Sequence, residues 1–188
     1  MVCRVTRLWT GKGDDGTTGL LYGGRVEKSS PRLEAVGSAD EAQAAIGVAR
    51  AEAADGSELD GILIAVARDL WVLMAELATD PANRAKLVPG ETMVSEDMVR
   101  GVETLIDDVA GRFEVPREFV VPGQDRTSAL LDLARTVVRR AERAAAPVLP
   151  EGSDALPYLN RLSSLLWTLA RWAEGHPLPT RTPRPLPS

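Results

Sequence analysis

A glycine-rich segment near the start of the sequence, Thr10–Gly19 (TGKGDDGTTG), combines backbone freedom with polar side chains. Its four glycines let the chain turn sharply and direct several N–H groups inward, which is how a loop binds phosphate. Lys12 adds a positive charge, and Arg25 and Lys28 follow closely enough to reach the same anion. The segment is not a Walker A loop, because Thr-Thr follows Gly16 where that motif requires Lys-Ser or Lys-Thr. An ordinary mobile loop is the alternative interpretation.

A second candidate is the arginine-rich stretch Arg135–Arg143 (RTVVRRAER). Arg135, Arg139 and Glu142 have the spacing i, i+4 and i+7, so in a helix they share one face. Two arginines four residues apart disfavour a helix unless an anion lies nearby, and a guanidinium suits a polyphosphate or a carboxylate. The alternative is a charged face that is simply solvated.

A third candidate is Asn160, in the stretch Tyr158–Ser163 (YLNRLS). It is a polar residue in a stretch where apolar residues recur at helical spacing. Its amide could bind a ligand, or it could satisfy a neighbouring backbone group.

The composition excludes several classes of protein. With 188 residues and 20.2 kDa, the chain is long enough for one self-sufficient domain. One cysteine, Cys3, and one histidine, His176, exclude a disulfide framework and make a histidine-dependent triad or metal cluster improbable. A net charge of −5 argues against a nucleic-acid-binding surface. No apolar run reaches the ~20 residues that span a bilayer, and no secretory signal is evident, so we expect a cytoplasmic protein.

The elements that must position these residues are helices. Ser38 and Glu41 have the capping-box spacing that predicts a helix start, and Pro81 and Pro147 predict helix ends. The predicted helices cover residues 38–54, 57–79, 95–112, 127–146 and 154–174. Short polar connections between them predict an all-α, five-helix up-and-down bundle. We expect one domain over residues 1–174, with a non-helical glycine-rich loop segment over 1–37 and a proline-rich disordered tail over 175–188.

Taken together, these segments resemble the PduO-type ATP:cob(I)alamin adenosyltransferases. The resemblance extends from Thr10 to Arg171 in family order, through TGKGDDGTTGL, RVEKSSPRLEAVGSADE, DLWVLMAELAT, the pair FVVPG and LARTVVRRAER, and YLNRLSSLLWTLAR. It implies a ferritin-like five-helix bundle that assembles as a homotrimer with active sites between subunits. It also implies transfer of the 5′-deoxyadenosyl group of ATP to the Co(I) centre of reduced cobalamin, with release of triphosphate. Because cobalt is the nucleophile, no nucleophilic side chain is required.

The resemblance assigns roles to individual residues. Lys28 would contact the triphosphate, Arg139 would bind the phosphates and stabilise the leaving group, and Arg135 would pair with Asp40 across the subunit interface. The ATP-binding loop would comprise Thr10, Gly13, Asp14, Gly16, Thr17 and Thr18.

The remaining roles concern the nucleotide pocket and the corrinoid. Glu142 and Asn160 would complete the pocket, and Phe119 would pack beneath the corrin ring and displace its lower ligand, so that Co(II) becomes easier to reduce. Mg²⁺ would accompany ATP. The product would pass to an adenosylcobalamin-dependent enzyme.

The chain departs from the family pattern at three places. Gly11-Lys12 replaces a basic residue followed by threonine, Gln43 replaces an asparagine, and Gln124 replaces a glycine. These departures motivate an alternative: a non-catalytic trimeric relative that binds ATP or corrinoid as a sensor or cofactor escort. A helical structural protein with a solvated arginine stripe is a further alternative.

Overall fold

A computed structural model describes residues 9–181 of the chain. Its five α-helices are α1 (Pro31–Arg50), α2 (Glu58–Leu77), α3 (Glu96–Ala110), α4 (Arg126–Ala145) and α5 (Ala155–Glu174). Helix α4 packs against α1 and α5, while α2 packs on α1 and α3 packs on α5. The predicted all-α bundle is confirmed.

Side-chain caps determine where two of these helices begin. The Ser57 hydroxyl accepts a hydrogen bond from the Asp60 amide at 3.2 Å before α2, and Asp125 accepts one from the Ser128 amide at 2.9 Å before α4. Helices α2 to α5 lie within two residues of their predicted positions at both ends. The predicted order of the α-helices is therefore correct over residues 57–174.

The predicted start of the first helix is wrong. Helix α1 begins at Pro31, where Ser30 is the cap and its hydroxyl accepts from the Leu33 amide at 3.4 Å. Ser38 lies inside the helix and is only 4% exposed. A Ser-x-x-Glu pattern also occurs within helices, whereas proline at the first helical position is a stronger start signal. The non-helical N-terminal segment therefore ends near residue 30 rather than 37.

The glycine-rich segment continues into a short hairpin that is fastened to the bundle. Strands β1 (Thr17–Gly19) and β2 (Arg25–Glu27) pair antiparallel, with Thr18 opposite Val26. At the turn, the Leu21 amide donates to the Ala78 carbonyl at the end of α2, at 2.9 Å. This bond anchors the hairpin to one end of the bundle.

The beginning of the tail is ordered, which the composition did not predict. Strand β4 (Leu178–Pro179) pairs antiparallel with β3 (Val120–Val121), and the Thr180 amide donates to the Phe119 carbonyl at 2.8 Å. The expectation of a disordered tail from residue 175 is wrong for this strand, because backbone pairing does not require apolar side chains. Residues 182–188 lie outside the described part of the chain.

The core contains buried leucines of α2 and α5 and a buried acid, Glu76 of α2, that joins two connecting segments, the one between α2 and α3 and the one between α4 and α5. Glu76 accepts hydrogen bonds from Arg84 at 2.6 Å, from Ser153 at 2.7 Å and from the Val94 amide at 2.9 Å. Full hydrogen bonding makes the burial of this carboxylate tolerable. Among residues 9–181, no helix has the length and apolar character needed to cross a membrane.

Candidate active site

A groove of about 420 Å³ lies between α3, α4 and α5. Helix α4 contributes Arg135 and Arg139 to its wall. The other lining residues come from the end of α3, from the connection that follows it and from α5: Ile106, Ala110, Val115, Ser163, Ser164, Trp167 and Thr168. The predicted i, i+4 arginine pair therefore does face one groove.

Arg139 is the exposed arginine of this groove. Its backbone carbonyl accepts a hydrogen bond from Arg143 at 2.9 Å. Within residues 9–181, no carboxylate lies within ion-pair distance of the Arg139 guanidinium. Its full positive charge is therefore available to an external anion.

Glu142 and Asn160 contact each other across α4 and α5. The Asn160 amide nitrogen donates to Glu142 Oε1 at 3.1 Å, and Asn160 Oδ1 accepts from Arg161 at 2.7 Å. Arg161 also pairs with Glu103 of α3 at 2.9 Å. The structure thus brings two predicted site residues together and links them to a third helix.

Arg135 has a partner that sequence reasoning missed. Its Nε lies 3.3 Å from Asp132 Oδ1, one helical turn earlier on α4. Asp40, its predicted partner, is exposed on α1 and forms no ion pair with Arg135 within the described chain. The i, i+3 spacing of Asp132 and Arg135 was the available signal.

A second cavity, of about 580 Å³, adjoins the groove. Arg135 and Trp167 line both spaces, and Phe119, which is 87% exposed, lines the second. The ring of Phe119 is therefore accessible at this cavity. The pairing of β3 with β4 fixes the backbone that carries Phe119.

The N-terminal loop is organised by Arg25. Arg25 donates to the Thr17 hydroxyl at 2.9 Å and to the Lys12 carbonyl at 2.7 Å, and it lies 3.3 Å from Asp15. Hydrogen bonds from the Thr17 amide and hydroxyl, with a smaller contribution from Arg25, lower the pKa of Asp15 below its ordinary value. Arg25 therefore serves the loop itself and is not the free anion ligand that its position suggested.

The predicted ATP-loop residues form a series of turns. Asp14 and Gly16 donate from their amides to the carbonyls of Gly11 and Gly13, both at 3.3 Å. Gly11 and Gly16 have positive φ angles of 66° and 82°, which glycine adopts without strain. The Thr10 hydroxyl accepts from the Lys12 amide at 3.4 Å, while Thr17 and Thr18 belong to β1.

Lys28 lies against this loop. Its amide donates to the Gly16 carbonyl at 2.9 Å, and a Cβ at Gly13 would come within 3.0 Å of the Lys28 ammonium nitrogen. Among the described residues, no hydrogen bond or ion pair joins the loop to the groove on α4 and α5. The loop and the groove are therefore separate parts of one chain.

Two of the departures from the family pattern have structural roles. The Gln43 amide donates to the Ala67 carbonyl at 2.7 Å and so links α1 to α2. The Gln124 amide lies 3.4 Å from the His176 carbonyl and contacts the ordered beginning of the tail.

The fold and the two adjoining spaces define a helical-bundle protein with an arginine-lined groove beside an aromatic-lined cavity. The cobalamin adenosyltransferase family matches residues 8–173, and the chain belongs to that family. The corrinoid adenosyltransferase of Mycobacterium tuberculosis is 41% identical over 178 residues, which cover 92% of this chain and 91% of that protein. The PduO corrinoid adenosyltransferase of Salmonella typhimurium is 36% identical over 167 residues, which cover 87% of this chain and 48% of that longer protein.

A solved structure agrees with this assignment. A variant of the PduO-type ATP:corrinoid adenosyltransferase from Lactobacillus reuteri, complexed with cobalamin and ATP, superposes with a TM-score of 0.82. It is 26% identical, and the match covers 94% of this chain and 97% of that one. The chain is thus of the PduO type, as its motifs predicted.

Proposed function

We propose that this transferase moves the 5′-deoxyadenosyl group of ATP to the Co(I) centre of a reduced corrinoid, giving adenosylcobalamin and triphosphate. The observation that carries the proposal is Arg135, which lines both the arginine groove and the cavity that holds Phe119. A reaction that joins a nucleotide to a corrinoid needs adjacent sites of this kind, because proximity and orientation supply much of the rate.

The chemistry places charge on the leaving group. A bond forms between cobalt and C5′, and the bond from C5′ to oxygen breaks with its electron pair going to triphosphate. We infer that Arg139, exposed in the groove and unpaired within residues 9–181, binds that triphosphate as its charge grows. Glu142 and Asn160, which are hydrogen-bonded to each other, would bind the nucleoside portion.

We propose that the corrinoid binds at the second cavity. We infer that Phe119 packs beneath the corrin ring, where its exposed side chain would replace the lower ligand. Trp167 supplies a second aromatic surface at the boundary with the groove. An apolar lower face would favour a four-coordinate cobalt that is easier to reduce.

The ATP-binding loop is proposed to come from a neighbouring copy. Among residues 9–181, no hydrogen bond or ion pair joins Thr10–Thr18, Lys28 or Asp40 to the groove, which supports a site that a second chain completes. We propose that Asp40 of that copy pairs with Arg135, and that the assembly is the homotrimer implied by the family resemblance.

Mg²⁺ is proposed to arrive with ATP. No cluster of three or more His, Cys, Asp or Glu suited to a metal occurs among residues 9–181, which fits an ion held mainly by substrate phosphates. An adenosylcobalamin-dependent enzyme as recipient, and a cytoplasmic location, stay predictions.

Anaerobic incubation of the purified protein with ATP, Mg²⁺ and cob(I)alamin tests the proposal. We expect the absorption spectrum to change to that of adenosylcobalamin, with stoichiometric triphosphate. The Mycobacterium tuberculosis relative is the positive control. If the control turns over and this protein binds ATP or corrinoid without transfer, the sensor or escort alternative is correct instead.

A further inference from the structure

A cluster of largely buried charges forms part of the wall of the second cavity, which Asp132 and Arg171 line beside Arg135 and Trp167. Arg171 of α5 is only 1% exposed, and it pairs with Asp132 of α4 at 2.6 Å and with Glu174 at 2.5 Å. Its guanidinium carbon lies 5.7 Å from the ring centre of Trp167, within cation–π distance. Buried charges persist only when they are paired, so these groups form one interdependent set.

Asp132 connects this buried set to the groove. Its Oδ2 accepts from the buried Arg171, while its Oδ1 lies 3.3 Å from Nε of Arg135. The side chain of Asp132 is 9% exposed and that of Arg135 is 31% exposed. One carboxylate therefore joins a fixed arginine in the core to an arginine that faces solvent.

The contact leaves the functional end of Arg135 free. Asp132 engages Nε alone, so both terminal nitrogens of the planar fork have no protein acceptor among residues 9–181. A guanidinium whose Nε is already hydrogen-bonded loses less rotational freedom when its two terminal nitrogens bind an anion. The two arginines and two carboxylates of the cluster also balance in charge.

We propose that Asp132 is a positioning residue that holds Arg135 at the junction of the groove and the cavity. Arg171 anchors Asp132, and the terminal nitrogens of Arg135 then face the triphosphate or a carboxylate of the neighbouring copy. The proposal rests on the function proposed above and assigns a role to a residue outside the family motif.

Glu174 provides an internal comparison. It pairs with Arg171 but forms no hydrogen bond or ion pair with Arg135 within the described chain. Burial raises the pKa of the Glu174 carboxyl, and the pairing with Arg171 opposes that rise. Glu174 thus shares the burial of Asp132 without its connection to the groove.

The decisive variant removes all three buried ions together. Replacing a buried ionic cluster by apolar residues of similar volume is often neutral for stability, so we expect the triple variant Asp132→Leu, Arg171→Met and Glu174→Met to melt near the wild-type temperature. Its kcat/KM for ATP should nevertheless fall about 10- to 100-fold, the loss typical when a residue that orients a ligating group is removed. Full wild-type kcat/KM in the folded triple variant would overturn the proposal.

A mutant cycle tests the proposal independently. Asp132→Asn should lower kcat/KM in the wild-type background but have no further effect when Arg135→Gln is already present, because it acts through Arg135. Additive losses would mean that Asp132 acts only on the fold. Glu174→Gln should change the melting temperature and leave kcat within twofold, and Asp97→Asn, in an exposed i, i+3 pair with Arg100, is the matched surface control.

Isothermal titration calorimetry with ATP applies the same double-mutant cycle of Asp132 and Arg135 to ATP binding, without turnover. If the wild type fails to adenosylate corrinoid, the proposed function fails, yet the ATP dissociation constants still decide the positioning role. Coupled losses of affinity at Asp132 and Arg135 support that role, and independent losses refute it.

Discussion

The helical part of the candidate site and its N-terminal loop are held in place by different means. On α4 and α5, Arg135 and Glu142 are fixed by Asp132 and Asn160, which belong to packed helices. In the loop, the main contacts come from Arg25 to groups 8 to 13 residues earlier in the chain, through hydrogen bonds that are exposed. One part is therefore arranged by core packing, and the other by its own local hydrogen bonds.

The difference has an energetic consequence. Exposed ion pairs contribute only about 0.2–1 kcal/mol each, whereas the helical part shares the stability of the whole bundle. We therefore expect substitutions in the helical part to act on turnover and substitutions in the loop to act on ATP affinity.

The largest expected effect is that of Arg139→Ala in the helical part. Removing a charge that stabilises the leaving triphosphate should lower kcat by about 100-fold or more. The melting temperature should hardly change, because the Arg139 side chain is exposed and has no ion-pair partner within residues 9–181. Steady-state kinetics and thermal melting measure the two quantities.

The matched control for this variant is Arg100→Ala on α3, which removes an exposed arginine that pairs with Glu96 and Asp97. It should retain wild-type kcat. Wild-type turnover in Arg139→Ala would place the triphosphate elsewhere and would remove the contrast between the two parts.

A smaller effect is expected from Arg25→Ala in the loop. The variant loses an exposed ion pair and hydrogen bonds, so KM for ATP should rise about fivefold, the equivalent of roughly 1 kcal/mol. The value of kcat should stay within twofold, because Arg25 makes its contacts to the loop itself. Arg126→Ala, which removes an exposed arginine paired with Glu52, is the control. A large loss of kcat in Arg25→Ala would show that the loop also takes part in the chemical step.

The smallest effect concerns the titration of Asp15. Its folded pKa is lowered, first by the Thr17 amide and hydroxyl and then by Arg25, so the charged carboxylate supports the loop at neutral pH. That support is complete above the ordinary carboxyl pKa and is lost only as the pH falls through the lowered value. Carboxyl carbon shifts in NMR spectra should show this, and Thr17→Val, which removes the hydroxyl donor, and Arg25→Ala should each raise the Asp15 pKa. An ordinary pKa for Asp15 in the wild type would mean that the loop is not held by these bonds.

Much of the bundle can be predicted from the sequence because its signals are local. Ser57 begins α2, and Gly175 follows the end of α5, as apolar periodicity and breaking residues indicate. The start of α1 is harder to predict, because the Ser30-Pro31 signal competes with the capping-box pattern of Ser38 and Glu41 in the same stretch. The paired strands have no periodic signal, since each contains only two or three residues.

The candidate site likewise contains some features that the sequence predicts and others that it does not. The shared face of Arg135 and Arg139 follows from helical spacing, and the structure places both in one groove. The contact between Glu142 and Asn160 depends on the register of α4 against α5, which spacing within one helix does not determine. The anchoring of Asp132 by Arg171 likewise depends on packing between residues far apart in sequence.

The pairing of β3 with β4 also bears on how this protein can change through descent. Phe119 and Thr180 share a backbone hydrogen bond although two long helices separate them in the chain. An insertion or deletion within either strand would shift the pairing of Val120–Val121 with Leu178–Pro179. We therefore expect a length change within one strand to be tolerated only where this pairing, and with it the position of the backbone that carries Phe119, is restored.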